Sequence, residues 1–195
     1  MIEFIEDNLR FQFDETAWTH LVFYDERDAA KRPMLPELAK ISKAIGARSV
    51  KFLGIFQKER LVFIEVKDFR GHRIENKPRL ERKDEPLETE IAMKVKDTIA
   101  GIVGGARLST TQQAVFKDYV RYLNNNKKNI EVVLWLEQDA PVAPLHILEK
   151  RQKTRNLNLT KQLKDRLNWL TPKVAVMNKK ENDYTPFLTV EYLKK

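Results

Sequence analysis

The chain contains no cysteine. Disulfides, thiolate zinc sites, iron–sulfur clusters and cysteine nucleophiles are therefore excluded. Histidine is almost as scarce. His20, His72 and His146 are far apart in the sequence and offer little for an imidazole-built metal site. A metal here would be a hard, oxygen-bound ion such as Mg²⁺ or Mn²⁺. Only six glycines occur in 195 residues. The densest stretch, Gly101-Ile102-Val103-Gly104-Gly105, follows a helical pattern instead of opening one, which argues against a phosphate-cradling loop. No Gly-x-Ser-x-Gly elbow is present. No apolar run approaches the roughly 20 residues of a membrane span. The acidic start, Met1-Ile2-Glu3-Phe4-Ile5-Glu6-Asp7, lacks the basic region of a secretory signal. The expectation is a cytoplasmic protein without a membrane partner.

What is present is globular in composition, 42% apolar and 33% charged, and long enough to bury a core as one domain over 1–195. Lys and Arg (36) exceed Asp and Glu (28), a net charge of +8 that admits a polyanionic partner without demanding one.

The apolar pattern alternates between strand and helix periods. Leu9-Arg10-Phe11-Gln12-Phe13 and His20-Leu21-Val22-Phe23-Tyr24 read as strands of an N-terminal hairpin, with Asp14-Glu15-Thr16 starting the turn. Pro36 suits a first helical position, and Leu38, Ile41 and Ile45 continue a helix over 36–44. Apolar runs at 49–56 and 61–66, joined by Gln57-Lys58-Glu59-Arg60, form an antiparallel pair. The charged stretch 71–85 is aperiodic and reads as a long loop. Leu87, Ile91, Val95, Thr98 and Ile102 make one stripe of a helix that starts near Pro86 and stops at Gly104-Gly105. A second helix covers 112–123. Ile130–Leu136 is nearly all apolar, as a strand covered on both faces should be. A helix over 145–170 and strands over 173–177 and 187–193 complete the chain. Interleaved helices and strands make this α/β or α+β with a mixed sheet, and α/β is the expectation: a central mixed sheet flanked by helices, with an N-terminal hairpin and C-terminal helix and strands.

One segment carries chemistry. In Leu61-Val62-Phe63-Ile64-Glu65-Val66-Lys67-Asp68-Phe69-Arg70, residues two apart share a face, so Leu61, Phe63, Glu65 and Lys67 point the same way. A carboxylate and an ammonium at the end of an apolar strand must be paired, solvated or metal-bound. Glu65 is a candidate divalent-cation ligand, and Lys67 a candidate for orienting a metal-bound water or stabilising phosphate charge.

The order of helix, strand, strand ending in Glu65-Val66-Lys67, long helix and strand resembles the core of the PD-(D/E)xK, or restriction-endonuclease-like, nuclease superfamily over about 35–136. The phrase Phe63–Arg70 is similar to its third core strand. The resemblance implies a metal-dependent phosphodiesterase acting on DNA, with Glu65 as metal ligand, Lys67 as catalytic lysine and Glu37 on the first helix as a further ligand. The family's Asp in the preceding strand does not carry over: Ser49–Phe56 has no acid, and Lys51 takes the equivalent place. Loss of an anionic ligand weakens a hard-metal site, and a Lys51–Glu65 salt bridge in the metal's place is the leading expectation. A migrated acid (Asp25, Glu26 or Asp68) is the alternative, although Asp68 faces the other side of its strand.

Other residues bear on a polyanion. Lys94 lies on the long helix beside the active-site strand. Arg70 and Arg73 belong to the basic stretch that follows it, and Lys51 stands at the presumed phosphate side. The stretch 149–166 holds seven basic residues and two acids, which suits either a phosphate backbone or the exposed face of a packed helix. Three functions remain in play. The first is a nuclease-like protein with an incomplete site that binds nucleic acid, DNA foremost, with weak or absent cleavage. The second is an active Mg²⁺- or Mn²⁺-dependent DNA endonuclease with a migrated ligand. The third is a protein–protein interaction module on a degenerate nuclease fold. A homodimer is left open.

Overall fold

The computed structural model describes residues 1–23, 48–80, 86–126, 129–139 and 145–193, without the side chains of residues 73, 74, 77 and 145–148. The helix expected over 36–44, with Glu37, and the acids Asp25 and Glu26 lie outside them.

Among the described residues, eight strands and four helices follow one another as β1 (Ile2–Glu6), β2 (Leu9–Phe13), β3 (Trp18–Phe23), β4 (Phe52–Phe56), β5 (Arg60–Asp68), α1 (Arg73–Leu80), α2 (Leu87–Leu108), α3 (Gln113–Leu123), β6 (Asn129–Glu137), α4 (Leu145–Leu167), β7 (Val174–Met177) and β8 (Leu188–Tyr192). They build a five-stranded mixed sheet, β3-β4-β5-β6-β7, and a three-stranded antiparallel sheet, β1-β2-β8. Strands β3, β4 and β5 are antiparallel neighbours, while β5, β6 and β7 run parallel. The α/β class is as the sequence implies.

Both faces of the large sheet are buried, which explains the near-continuous apolar reading of β5 and β6. Leu53, Ile55, Leu61, Phe63, Val132, Leu134 and Val174 face one core with α2, α3 and α4. Phe52, Phe56, Val62, Ile64, Val66, Val133 and Trp135 face a second core against Phe4, Phe11, Phe13, Leu188 and Val190 of the small sheet. Three layers result: helices, large sheet, small sheet. Burying a side chain such as Phe63 contributes about 1.5–3 kcal/mol, so strand register is held from both sides.

Two glycines are fixed by close approach. At Gly54 a Cβ would sit 2.9 Å from Leu21 and 3.2 Å from Trp18, opposite the point where β3 carries an extra residue and His20 adopts φ 51°. At Gly105 a Cβ would lie 2.4–2.5 Å from the Phe116 ring, so this glycine lets α3 lie against α2.

Several expectations are corrected. Strand β2 does not pair with β3. It lies between β1 and β8, and the N-terminal hairpin is β1–β2, closed at Asp7 with φ 53°. Ile2 and Phe4 are the strand signal that the acidic residues obscured. The stretch 71–85 is not wholly a loop, because Arg73–Leu80 is helical despite Pro78 inside it. Leu80 packs on the helix-side core and Arg79 binds Glu90, so tertiary contacts supply what the sequence pattern lacks. Helix α2 runs through Gly104-Gly105 to Leu108, because Gly105 is needed for packing and not as a stop.

Candidate functional site

Glu65 and Lys67 lie at the carboxyl end of β5, beside Leu134 and Leu136 of the parallel strand β6. Open α/β sheets place ligands outside the carboxyl ends of such strands. Both residues share the helix-side face with Phe63, as the alternation requires.

The face they meet belongs to α2. Lys94 and Glu90 each immediately precede a residue of the apolar stripe (Val95 and Ile91), so they ride on one flank of it and are carried down onto the sheet. Lys94 Nζ lies 2.5 Å from Glu65 Oε1, with Lys94 only 7% exposed and Glu65 fully buried. Lys67 Nζ lies 2.7 Å from Glu90 Oε1 and 3.5 Å from Glu65 Oε1. Lys94 also approaches Glu90 Oε1 at 3.8 Å. Each ammonium thus bridges the same two carboxylates. Arg79 of α1 closes the cluster by donating to Glu90 Oε2. Burial disfavours ionisation of Glu90, but the charges of Lys67, Arg79 and Lys94 outweigh it and hold its carboxyl below the usual range. Glu65 Oε2 is buried with no hydrogen-bond partner among the described residues.

Lys51 does not pair with Glu65 in the way the sequence suggests. The chain bends at Lys51, just before β4 begins, so that Val50 packs into the helix-side core. Lys51 is thereby turned to the other side, where its Nζ lies 2.8 Å from Glu6 Oε1 of β1. The cation on Glu65 is Lys94. Lys94 therefore directs its ammonium inward to a carboxylate, not outward to a phosphate.

Asp68 faces away from Glu65, as the alternation implies. It holds Arg70 through Nε at 2.8 Å and through a terminal nitrogen at 2.6 Å, and the guanidinium stacks 3.9 Å from the Tyr192 ring. Arg70 is fixed between the sheets. Arg73 opens α1, and its side chain lies outside the described set. Beside Arg70, Glu137 accepts from Trp135 Nε1 (2.9 Å), the Lys179 amide (2.8 Å) and the Tyr192 hydroxyl (2.8 Å). Burial and then the Glu137 hydrogen bond push the Tyr192 hydroxyl up to about 12. A cavity of about 590 Å³ opens next to this second cluster, lined by Arg70, Asp139, Gln152, Lys153, Asn156 and Tyr192 among others. Its lining carries both signs of charge.

The described residues do not fit a divalent cation. At the end of β5, two carboxylates face three cations, and Glu65 Oε1 is already held by an ammonium. A unit charge pair about 4 Å apart interacts by roughly 4 kcal/mol at the effective dielectric of a protein surface, and a dication doubles the repulsion from each ammonium. Among the described residues there is no group of three or more His, Asp or Glu placed to hold a metal ion. No helix among them is long and apolar enough to cross a membrane.

Sequence reasoning missed Glu90 and the pairing of Arg79 with it. The signal for Glu90 was its spacing to Lys94, four residues apart on the flank of the stripe. Arg79 gave none, because α1 itself is not legible. Compared with protein-family models, curated proteins and solved structures, the chain matches none.

Proposed function

We propose that this chain is a nuclease-like protein that binds nucleic acid and does not cleave it. The observation that carries this reading is the ammonium of Lys94 on Glu65 Oε1 at 2.5 Å. The Glu-x-Lys of β5 sits where the resemblance to the PD-(D/E)xK core places metal and catalytic lysine, yet its carboxylate is neutralised from within. Lys67 is likewise held by Glu90, and the position of the missing Asp carries Lys51, bonded to Glu6. The net charge of +8 supports a polyanionic partner.

One observation favours cleavage instead. Glu90 converges on the same two ammonium groups as Glu65, which makes it the migrated acid that an active site would require.

Incubation of supercoiled plasmid with the chain in Mg²⁺ or Mn²⁺, alongside a duplex-binding titration, separates the two. Expected is salt-sensitive binding without nicking, and no nicking gained by Lys51→Asp, because Lys94 still occupies Glu65. Nicking by the wild type that is lost in both Lys67→Ala and Glu90→Gln would establish the endonuclease.

A further inference from the structure

We propose that the outward face of α4 is the surface that receives the nucleic-acid backbone, and that the partner is a duplex. This rests on the reading of the chain as a nucleic-acid binder and moves the contact away from the end of β5.

Helix geometry groups the charges. At 3.6 residues per turn, Lys150, Lys153, Leu157, Lys161 and Lys164 fall within an arc of about 80°, and Lys150 to Lys164 spans roughly 21 Å along the axis. All five are exposed, and no acid lies within that arc. Leu159, Leu163 and Leu167 occupy the other side of the helix, buried in the core shared with α2 and β7. The lysines are therefore held outward by packing behind them.

These charges are also unspent. None of the seven basic residues of 149–166 has an ion-pair partner among the described residues. By contrast, Lys51, Lys67, Arg70, Arg79 and Lys94 all meet carboxylates. A row of lysines without ion pairs among the described residues carries a positive potential, which a phosphate backbone relieves with release of its counterions.

The same geometry selects among polyanions. A helix that docks on a lipid surface inserts an apolar face, whereas the apolar face of α4 is already buried, and Leu157 is the one large apolar side chain within the lysine arc. Single-stranded nucleic acid calls for aromatic platforms between the charges. Of the exposed aromatics, Trp169 lies beyond the end of the row, and Tyr192, which shares a cavity lining with Lys153, already has its ring against Arg70 and Lys179. A duplex backbone needs neither, and about six base-pair rises of 3.4 Å match the length of the row.

Fluorescence anisotropy of a labelled random-sequence DNA duplex, titrated with the full chain across a series of KCl concentrations, tests this. The wild type is compared with K150Q/K153Q/K161Q/K164Q and with a charge-matched control on α2 and α3, K96Q/R107Q/K117Q/R121Q. All eight side chains are exposed, and thermal unfolding checks that each variant folds. Expected is a fall of about 3–4 in the slope of log K against log salt for the α4 variant, with affinity lowered on the order of 100-fold or more, and a smaller fall for the control. An unchanged slope in the α4 variant, or equal falls in both variants, overturns the inference while leaving nucleic-acid binding intact. No duplex binding by the wild type overturns both, and binding instead to anionic phosphatidylserine vesicles would assign the face to lipid.

Discussion

The carboxyl end of β5 and the outward face of α4 are both rich in lysine, and they use it in opposite ways. At β5, Lys67, Lys94 and Arg79 are packed against Glu65 and Glu90, largely out of water, so each charge is consumed by a neighbour. On α4, Lys150, Lys153, Lys161 and Lys164 stand in solvent without partners among the described residues. The lesson is that a charge count says little about where a partner binds. The +8 of the chain is available only where the fold has not already neutralised it. The lysines at the end of β5 are held by carboxylates, and the basic stretch 149–166 carries lysines with no ion pair among the described residues.

The largest expected effect tests whether the β5 cluster is structural. Lys94→Met leaves the fully buried Glu65 with only the more distant Lys67. Urea unfolding at neutral pH is expected to show a loss of about 3–5 kcal/mol, with most of it recovered in Glu65→Gln/Lys94→Met, which removes both charges. A loss below about 1 kcal/mol for Lys94→Met would mean that the two regions do not differ as described.

A smaller effect concerns acid. The carboxyl of Glu90 is held below its ordinary value of 4.5 in the folded chain, so the unfolded chain takes up the proton first. The contribution of Glu90 is therefore complete above about pH 4.5 and is lost as pH falls through its depressed folded value. Glu90→Gln is expected to cost about 1–3 kcal/mol at neutral pH, by removing the negative charge that Lys67 and Arg79 share, and to flatten this part of the stability–pH curve. Chemical denaturation from pH 7 down to about pH 3 reads both. An unchanged curve in the variant would remove Glu90 from the network.

The smallest effect belongs to α4. Lys161→Gln or Lys164→Gln is expected to change unfolding stability by no more than about 0.5 kcal/mol, because neither side chain has an ion pair or hydrogen bond among the described residues. A larger loss would show that the fold depends on these lysines, and the contrast with β5 would blur.

These contrasts were unevenly legible beforehand. The stripe from Leu87 to Ile102 and the apolar run at 130–136 declare α2 and β6, because α2 buries one face at the helical period and β6 is buried on both faces. The shared face of Glu65 and Lys67 follows from the same alternation. The cation on Glu65 does not, because Lys94 reaches it across 29 residues of chain and only the packing of α2 on β5 brings them together. Lys51 misleads for a local reason. Counting by twos along the strand puts it opposite Glu65, and a bend of one residue sends its side chain to Glu6. Helix α1 is hidden because its sequence is charged and carries Pro78, and its position is set by Leu80 and Arg79 against distant partners. Periodic burial is written in the sequence, and side-chain pairing across elements is not.

The commitment of Glu65 to Lys94 is tested most directly by thermal unfolding with and without about 10 mM MnCl₂, since a ligand that binds only the folded chain raises its melting temperature. The expected result is the same Mn²⁺ response in the wild type and in Glu65→Gln. A rise of several degrees in the wild type that Glu65→Gln abolishes would show a cation on that carboxylate and contradict a site closed by Lys94.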